Sequence, residues 1–333
     1  MSTNYSVLSI LSDNVFHSGE DIARSLQISR ASVWKVIQNL RKKGLEINSI
    51  RGRGYRLNHV IDLLSAREIT NSLPPSLNKR FKIETHFELT STNDYLIQQD
   101  RSCVDYTVSS VCLAEYQRSG KGRRGRTWQS PLSTNLYMSL TWQHKLSPRA
   151  VSGFSLVTAV ALANCLEHLG VEGVQLKWPN DVLWNQRKIA GILLEVAGES
   201  HGDQALVIGL GVNVALPESA RLHIDQPWTD LLHATGRYIS RNMLASQLLI
   251  EIYKYFCLYE ERGMEALFIE WNSRDAYLHK NVDLIFPNQK ISGKVAGIDE
   301  QGSLLLDLGD GIQKAYQSGE VSLRTGETKI FDC

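Results

Sequence analysis

Apolar residues in the first sixty positions repeat with the spacing of three short helices followed by two strands. The segment 4–13 predicts a first helix, and the sequence at 18–21 resembles a capping box that opens a second. We expect Ser29 to cap a third helix that ends at Gly44. Its apolar positions follow the i, i+3, i+4, i+7 pattern, at Val33, Val36, Ile37 and Leu40. Two strands around a glycine turn follow, at 45–50 and 55–57. This order of elements predicts a winged helix-turn-helix.

From about residue 66 the pattern changes to a mixture of strands and helices. Apolar or alternating segments predict strands at 81–89, 108–116, 136–142, 174–178, 188–196 and 205–214. Two long helices are predicted, an amphipathic one at 152–169 and another at 243–262. The turn-rich segment 198–203 joins neighbouring strands, which favours a mixed or antiparallel sheet over regular βαβ repetition. The last sixty residues predict a small β-barrel, with strands at 282–286, 291–298, 303–308 and 312–315.

The predicted fold is therefore α+β and multidomain. We expect the winged helix-turn-helix at 1–62, a central domain with a mixed or antiparallel sheet and helices at 66–271, and the small barrel at 272–333. A chain of 333 residues is long enough for more than one core. Its 43% hydrophobic and 21% charged residues are typical of a soluble globular protein.

Composition also excludes several classes of protein. The N-terminus lacks the basic and apolar segments of a signal peptide, and the most apolar segment, 154–166, is too short to span a bilayer. The five cysteines are widely spaced and the nine histidines form no cluster with ligand spacing. We therefore expect a cytoplasmic protein with no membrane association and no structural or catalytic transition metal.

Positive charge is concentrated in two places. Residues 1–60 contain nine Lys or Arg against four Asp or Glu, and a second basic group lies at 118–126. On the third helix and the wing, the candidate DNA-binding residues are Ser29, Arg30, Ser32, Lys35, Gln38, Asn39, Arg41, Arg51, Arg53 and Arg56. The alternative is a small solvated domain with a charged face. One departure from the helix-turn-helix pattern is Gln27, which stands where such turns often have glycine.

The glycine-rich segment 120–125 carries a cation at each position between its glycines. It matches the dinucleotide pattern G-x-G-x-x-G, but 126–131 is a poor helix start, and Lys145 stands where a Rossmann fold has an acid. The Walker pattern is absent. The remaining interpretations are a phosphate-binding loop, in which glycines let backbone N–H groups approach an anion, an exposed flexible loop, or a nucleic-acid patch.

Three further polar motifs interrupt the apolar strands. The segment 177–181 is either an ordinary turn or a turn that ends in a functional acid, Asp181. Lys188 is either an edge residue whose ammonium reaches solvent or a charge directed at a ligand. The segment 91–93 is either a helix cap or a set of hydroxyl and amide groups for a small polar ligand.

Taken in order, these motifs resemble the catalytic domain of biotin–protein ligases. The resemblance is carried by Ser-Thr-Asn at 91–93, Ala-Glu-Tyr-Gln at 114–117, Gly-Lys-Gly-Arg-Arg-Gly at 120–125, Lys-Trp-Pro-Asn-Asp at 177–181, Lys-Ile-Ala-Gly-Ile-Leu at 188–193 and Gly-x-Gly-x-Asn at 209–213. With the winged helix before it and the small barrel after it, the whole chain is similar to bifunctional biotin ligases that repress biotin-synthesis genes.

The resemblance implies roles for individual residues. Those that would hold biotin or its adenylate are Ser91, Thr92, Asn93, Gln117, Lys121, Gly122, Arg123, Lys188, Gly209, Gly211, Asn213 and Trp228. Lys188, Arg123 and Asp181 would be catalytic, with Asp181 supporting the nucleotide and Mg²⁺. The family usually has Arg where this chain has Lys121, and Lys cannot make a planar two-pronged contact. Retention of the intermediate is therefore expected to differ.

The resemblance also implies the reaction and the partners. Biotin and ATP, with Mg²⁺, would form biotinyl-5′-adenylate, and a lysine of the carrier domain of acetyl-CoA carboxylase would accept the biotin. The adenylate would act as corepressor and promote a homodimer on operator DNA. Two alternatives remain open from the residues: a lipoate–protein ligase, which performs the same half-reactions, and a ligand-sensing repressor without catalysis.

Overall fold

The computed structural model describes residues 3–99, 107–143, 151, 153–197, 205–217, 220, 224–286, 289–309, 311–317 and 322–325. The chain forms two compact units, Met1–Gln143 with Glu195–Gln247 and His144–Leu194 with Leu248–Cys333. These units group the chain differently from the three predicted domains, whose boundaries remain a prediction. No helix within the described ranges combines the length and the hydropathy needed to cross a membrane.

The N-terminal elements match the predicted order. They are α1 (Thr3–Leu11), α2 (Gly19–Leu26), α3 (Arg30–Lys42), β1 (Ile47–Ile50) and β2 (Gly54–Leu57). Ser18 caps α2 by accepting from the Asp21 N–H, and Ser29 caps α3 by accepting from the Ser32 N–H. The strands β1 and β2 pair antiparallel. The predicted winged helix-turn-helix is confirmed.

Gln27 explains how this turn forms without glycine. It adopts the left-handed conformation, with φ 54° and ψ 42°, and its N–H bonds the end of α2. A non-glycine residue in this region is uncommon but tolerated. Gly54, by contrast, cannot be replaced, because a Cβ there would lie 1.9 Å from the backbone oxygen of His17.

The remaining elements follow in chain order. They are α4 (Ala66–Asn71), β3 (Phe81–His86), α5 (Thr92–Ile97), β4 (Ser109–Ala114), β5 (Leu136–Trp142), α6 (Gly153–His168), β6 (Val174–Lys177), β7 (Asp181–Trp184), β8 (Arg187–Ala197), β9 (Ala205–Val212), α7 (Leu231–Thr235), α8 (Arg241–Arg262), α9 (Phe268–Arg274), β10 (Asn281–Ile285), β11 (Lys290–Ile298), β12 (Leu304–Asp307), β13 (Gln313–Tyr316) and β14 (Ser322–Thr325).

In the first unit, the strands pair as a mixed sheet. β3 runs parallel to β4, β4 pairs antiparallel with β5, and β5 pairs antiparallel with β9. The helix α5 follows β3 and contacts β4, β5 and β9. The winged-helix core also includes Leu132, whose N–H bonds the Lys43 carbonyl at 2.9 Å. The predicted mixed sheet is confirmed.

In the second unit, β7 pairs antiparallel with both β6 and β8. The C-terminal strands form a five-stranded antiparallel sheet in the order β13-β12-β11-β10-β14. The sequence predicted a small barrel here, and the structure shows its strands as an antiparallel sheet. The sheet includes β14, which the apolar pattern did not predict.

The helix α6 corrects one prediction. It was expected to be amphipathic, yet nearly all its residues are buried, including Ser155 and Thr158. Both hydroxyls form hydrogen bonds to backbone oxygens inside the unit. Ser155 Oγ donates to the Pro179 carbonyl at 3.0 Å, and Thr158 Oγ1 donates to the Phe154 carbonyl. Small polar residues whose hydroxyls bond backbone oxygens are compatible with a buried helix, so they did not mark a solvent face.

Candidate ligand-binding and DNA-binding sites

Buried hydroxyl and amide groups converge at the start of α5. Ser91 caps this helix, and Ser91, Thr92 and Asn93 are at most 4% exposed. Gln117 Oε1 accepts from the Thr92 N–H at 2.9 Å, and Gln117 Nε2 donates to Ser130 Oγ at 3.1 Å. The four predicted polar residues are therefore brought together. We name Ser91, Thr92, Asn93 and Gln117 the polar cradle.

Two residues that the sequence motifs did not mark complete this arrangement. Ser139, on β5, places its Oγ 2.6 Å from both Thr92 Oγ1 and Asn93 Oδ1. Asn93 Nδ2 donates to Glu195 Oε2 at 2.7 Å. Ser139 is one of several buried residues of an alternating strand, and Glu195 ends an apolar run. Ser139 carries no local signal that distinguishes it from its neighbours, whereas Glu195 is the single charged residue of the segment 189–197.

Two glycines of β9 lie close to other side chains of the first unit, and one of those, Asn93, is a predicted site residue. A Cβ on Gly209 would lie 2.3 Å from Asn93 Oδ1, and one on Gly211 would lie 2.4 Å from the Trp128 ring. Any side chain here would displace Asn93 or Trp128. Asn213, the last residue of the same motif, bonds Asn135 Nδ2 at 3.3 Å and the Thr229 carbonyl at 3.0 Å. It holds the segment that contains Trp228, a half-buried residue.

The glycine-rich loop folds back on itself as a tight hairpin. The Trp128 N–H bonds the Gly120 carbonyl at 2.8 Å, and the Gly122 N–H bonds the Arg126 carbonyl at 2.7 Å. Between them, Arg123–Gly125 forms a 3-10 turn in which Arg124 has φ 57°. Backbone groups at the base of the loop are thus already paired, while the cationic side chains at its tip are exposed or half-exposed.

Lys121 of this loop is paired with an acid on the neighbouring helix α5. Its Nζ forms an ion pair with Asp94, in the first turn of α5 and next to the polar cradle. The hydrogen bond to Asp94 raises the pKa of the Lys121 ammonium. The position where the family usually has Arg is thus occupied by a Lys that bonds an acid on the neighbouring helix.

In the second unit, Lys188 and Asp181 lie on adjacent strands. Lys188 Nζ is 2.7 Å from Asp181 Oδ1, and the two side chains are 15% and 16% exposed. The turn before Asp181 is anchored to β8, because Asn180 Nδ2 donates to the Ile192 carbonyl at 2.8 Å and the Ile192 N–H bonds the Asn180 carbonyl at 3.0 Å. These two bonds fix the turn that precedes Asp181.

The DNA-binding candidates occupy the surface of α3 and the wing. Ser29, Arg30, Lys35, Arg51 and Arg53 are exposed, and Ser32 and Gln38 are half-exposed. Arg41 has another role, because its Nη2 donates to the Ile47 carbonyl at 2.6 Å and to Ser49 Oγ at 2.7 Å, which ties α3 to β1. The guanidinium of Arg56 lies 4.7 Å from the Phe16 ring centre.

A buried charge network holds the segment that follows the wing. Arg241 is fully buried, and its Nη1 lies 2.8 Å from Glu115 Oε2. Its Nη2 donates to the Asp62 carbonyl, and its Nε lies 3.5 Å from Asp62 Oδ1. Glu115 also accepts from the Leu64 N–H at 2.6 Å and lies two residues before Gln117 of the polar cradle.

Burial alone would raise the pKa of the Asp62 carboxyl. Attraction by Arg241 and hydrogen bonds from Ser240 and Tyr238 outweigh it and hold that pKa below its usual value. The network was not predicted, because its members lie far apart in the chain and each is an ordinary charged residue in its own segment.

Comparison with known proteins gives the same order of parts along the whole chain. The Biotin/lipoate A/B protein ligase family matches residues 86–213, an HTH domain matches 5–56, and a Biotin protein ligase C terminal domain matches 277–324. The Bifunctional ligase/repressor BirA of Escherichia coli (strain K12) is 37% identical over 96% of this chain and 97% of its own. This chain belongs to the bifunctional ligase/repressor family of biotin–protein ligases.

Other relatives extend the match. The Bifunctional ligase/repressor BirA of Bacillus subtilis (strain 168) is 31% identical over 92% of this chain and 93% of its own. Among solved structures, the biotin protein ligase from Aquifex aeolicus in complex with biotin and ATP has a TM-score of 0.62 and 29% identity, and the match covers 73% of this chain and 99% of that one.

The predicted site residues are divided between the two units by chain segment. The polar cradle, the glycine-rich loop, Gly209 and Gly211 belong to the first unit, and Lys188 and Asp181 belong to the second. The predicted turn at 198–203 and Lys145 lie outside the described residues, as does part of the segment before Trp228. Across the described ranges, no three His, Cys, Asp or Glu side chains are grouped as a metal site.

Proposed function

We propose that this chain is a biotin–protein ligase that also represses transcription. The polar cradle is the observation that carries the proposal. It buries hydroxyl and amide groups beside Gly209, whose lack of a Cβ allows Asn93 Oδ1 to lie close to β9. Biotin's ureido group has two N–H donors and one carbonyl acceptor, and hydroxyl and amide groups can supply partners of both kinds. A buried site of this kind rejects ligands that leave its polar groups unpaired.

The proposed chemistry has two half-reactions. The biotin carboxylate attacks the α-phosphorus of ATP, a new C–O–P bond forms, and pyrophosphate leaves. A neutral lysine amine of the acceptor then attacks the acyl carbon, an amide forms, AMP leaves, and the amine loses a proton. Neither step needs a side-chain nucleophile, so the protein's contribution is orientation and electrostatics.

Two cations carry the electrostatic part of the proposal. Lys188 is assigned to the carboxylate and α-phosphate oxygens, and Arg123 to the adenylate under the glycine-rich loop. A well-placed donor to developing negative charge is worth about 2.7–4 kcal/mol. The ion pair with Asp181 supports this assignment for Lys188, because it holds the ammonium in one position.

Mg²⁺ enters this proposal bound to ATP. Asp181 offers one carboxylate, the type of ligand that Mg²⁺ prefers, and Mg²⁺ in nucleotide-dependent enzymes is commonly held by substrate phosphates with one or two protein carboxylates. The residues present fit that arrangement, in which the ion arrives with the substrate. Trp228 is assigned to the segment that covers the adenine.

The decisive experiment combines the full chain with ATP, Mg²⁺, biotin and the biotin carboxyl-carrier domain of acetyl-CoA carboxylase. Mass spectrometry of the carrier is expected to show the mass of one biotin added through an amide. Lipoate in place of biotin distinguishes the lipoate ligase alternative. Adenylate formation without transfer would show that only the first half-reaction occurs with this carrier. The absence of both adenylate and biotinylated carrier would favour a ligand-sensing repressor without catalysis.

The regulatory part of the proposal concerns operator DNA. One winged helix reads few base pairs, so we propose a twofold dimer on an inverted repeat, formed in the cytoplasm when biotinyl-5′-adenylate is bound. Ordering of the glycine-rich loop around the adenylate would lower the entropy cost of dimerisation. Sedimentation of micromolar protein with and without the adenylate measures this coupling, and equal dimer constants would refute it.

A further inference from the structure

Trp34 is a large apolar side chain on the surface of α3. It leaves 55% of its area exposed, while Val33, Ile37 and Leu40 of the same helix are fully buried. An indole is among the side chains that gain most from burial. The hydrophobic core of the winged helix forms without it. Its indole is therefore accessible to a binding partner on the surface of α3.

The surroundings of Trp34 indicate which partner that is. Arg30 lies four residues before it and Gln38 four residues after it, so both share its face of the helix. Arg30 and the adjacent Lys35 are exposed. The first sixty residues carry nine basic against four acidic residues. An aromatic ring among cations fits a polyanion better than an apolar protein surface.

The position along the helix is equally specific. Trp34 is the fifth residue of α3, which begins at Arg30. In helix-turn-helix proteins, the N-terminal residues of the second helix of the motif contact base edges, while phosphates are contacted from the flanks. An indole carries no charge, so it does not contribute the salt-dependent part of phosphate binding. A base edge is the partner that an exposed indole at this place can recognise.

We propose that Trp34 contacts the bases and sets sequence preference by packing its indole on a thymine 5-methyl group in the major groove. This proposal rests on the proposed DNA-binding function of α3. The 5-methyl group is the apolar feature that the major groove offers, and apolar side chains read it by contact. The charged neighbours hold the helix on the backbone, and Trp34 discriminates between base pairs.

The first experiment separates recognition of the base sequence from electrostatic attraction to the DNA phosphates. Duplexes are selected from a random-sequence pool by the full chain with biotin and ATP, and binding of the selected duplex is measured over a range of salt concentrations. Trp34→Ala is expected to weaken binding to that duplex about tenfold, with non-specific binding and the salt slope unchanged. Lys35→Ala is the matched control, because it should weaken both kinds of binding and reduce the slope by about one.

The second experiment tests the methyl group itself. Each thymine of the selected duplex is replaced in turn by deoxyuridine, which lacks only the 5-methyl. Wild type is expected to lose about fourfold in affinity at one or two positions, as for one buried methylene-sized group. The affinity of Trp34→Ala should not change when deoxyuridine replaces thymine at those positions. Equal sensitivity of the two proteins, or an unchanged selected sequence with unchanged affinity for Trp34→Ala, would overturn the proposal.

Further outcomes distinguish a failure of this proposal from a failure of the proposed DNA-binding function on which it rests. If wild type selects no sequence, the DNA-binding function itself fails. If Trp34→Ala changes the sedimentation dimer constant without DNA, Trp34 is a protein contact and the proposal is wrong. Biotin transfer by Trp34→Ala should equal that of wild type, which shows that the variant is folded.

Discussion

Lys188 Nζ and Asp181 Oδ1 lie 2.7 Å apart on adjacent antiparallel strands, with 15% and 16% of their side chains exposed. The ammonium is therefore partly desolvated and paired with the Asp181 carboxylate. A charge held in position before the reaction stabilises a developing negative charge without reorganisation cost.

The pair predicts different effects for its two members. Lys188→Ala should lower biotin-dependent pyrophosphate release about 100-fold or more, because it removes the proposed donor to the α-phosphate. Asp181→Asn should cost less, because the cation remains but loses its anchor. The control is Arg187→Ala, an exposed neighbour on the same strand. Pyrophosphate release by Lys188→Ala within a few-fold of wild type would contradict the assignment.

The ion pair between Asp94 and Lys121 predicts how the glycine-rich loop retains the intermediate. Asp94→Asn removes the charge that holds Lys121, so biotinyl-5′-adenylate should dissociate several-fold faster, and the effect should shrink at high salt. The measurement is the dissociation rate of the adenylate in stopped flow. Exchanging the two charges, as Asp94→Lys with Lys121→Asp, should restore part of the retention. No difference between the single and double variants would show that the pair is incidental.

The glycine at position 209 predicts a steric effect on biotin binding. Gly209→Ala places a Cβ within 2.3 Å of Asn93 Oδ1, so Asn93 must turn away from its present bonds. Calorimetric titration should show biotin affinity reduced about tenfold or more, because the cradle loses a positioned amide. Ser139→Ala, which removes a bond to Asn93 without adding volume, should have a smaller effect. Undiminished affinity in Gly209→Ala would place biotin elsewhere.

The buried ion pair between Arg241 and Glu115 predicts a large contribution to the free energy of unfolding. Arg241→Met leaves the Glu115 carboxylate buried without its cation, which should lower the free energy of unfolding by about 3–5 kcal/mol. The matched control is Arg262→Met, whose ion pair with Glu261 is 66% and 69% exposed and should contribute less than about 1 kcal/mol. Denaturant unfolding of both variants gives the comparison. Equal losses in both would mean that the network does not hold the first unit together.

The lowered pKa of Asp62 predicts that the free energy of unfolding depends on pH in the acid range. Its pKa is lowered from the usual 3.8, although burial opposes the charge, because Arg241, Ser240 and Tyr238 favour the carboxylate. A lowered pKa in the folded state contributes stability that is complete above 3.8 and is lost as pH falls through the folded value. Asp62→Asn should therefore lose stability near neutral pH and approach wild type in strong acid. A constant difference at every pH would contradict this.

Much of the winged helix followed from the sequence because its signals are local. Ser18 and Ser29 cap helices by bonding an N–H three residues later, and the apolar repeat of α3 lies within one helix. The same holds for the cap at Ser91, which was one of the two interpretations that the sequence allowed for 91–93. Contacts between near neighbours depend little on the rest of the fold, so a pattern of residue types determines them.

Tertiary structure decided the rest. Only the pairing of β5 with β9 places Ser139 and Gly209 opposite each other at Asn93, and only the folding of the first unit brings Arg241 to Glu115 and Asp62. It also decided that α6 is buried on nearly every side. These contacts join segments separated by tens to nearly two hundred residues, and no local periodicity encodes which distant side chain will satisfy a given charge or hydroxyl. Burial then makes the choice strict, because a polar group without water must find its partner inside the protein.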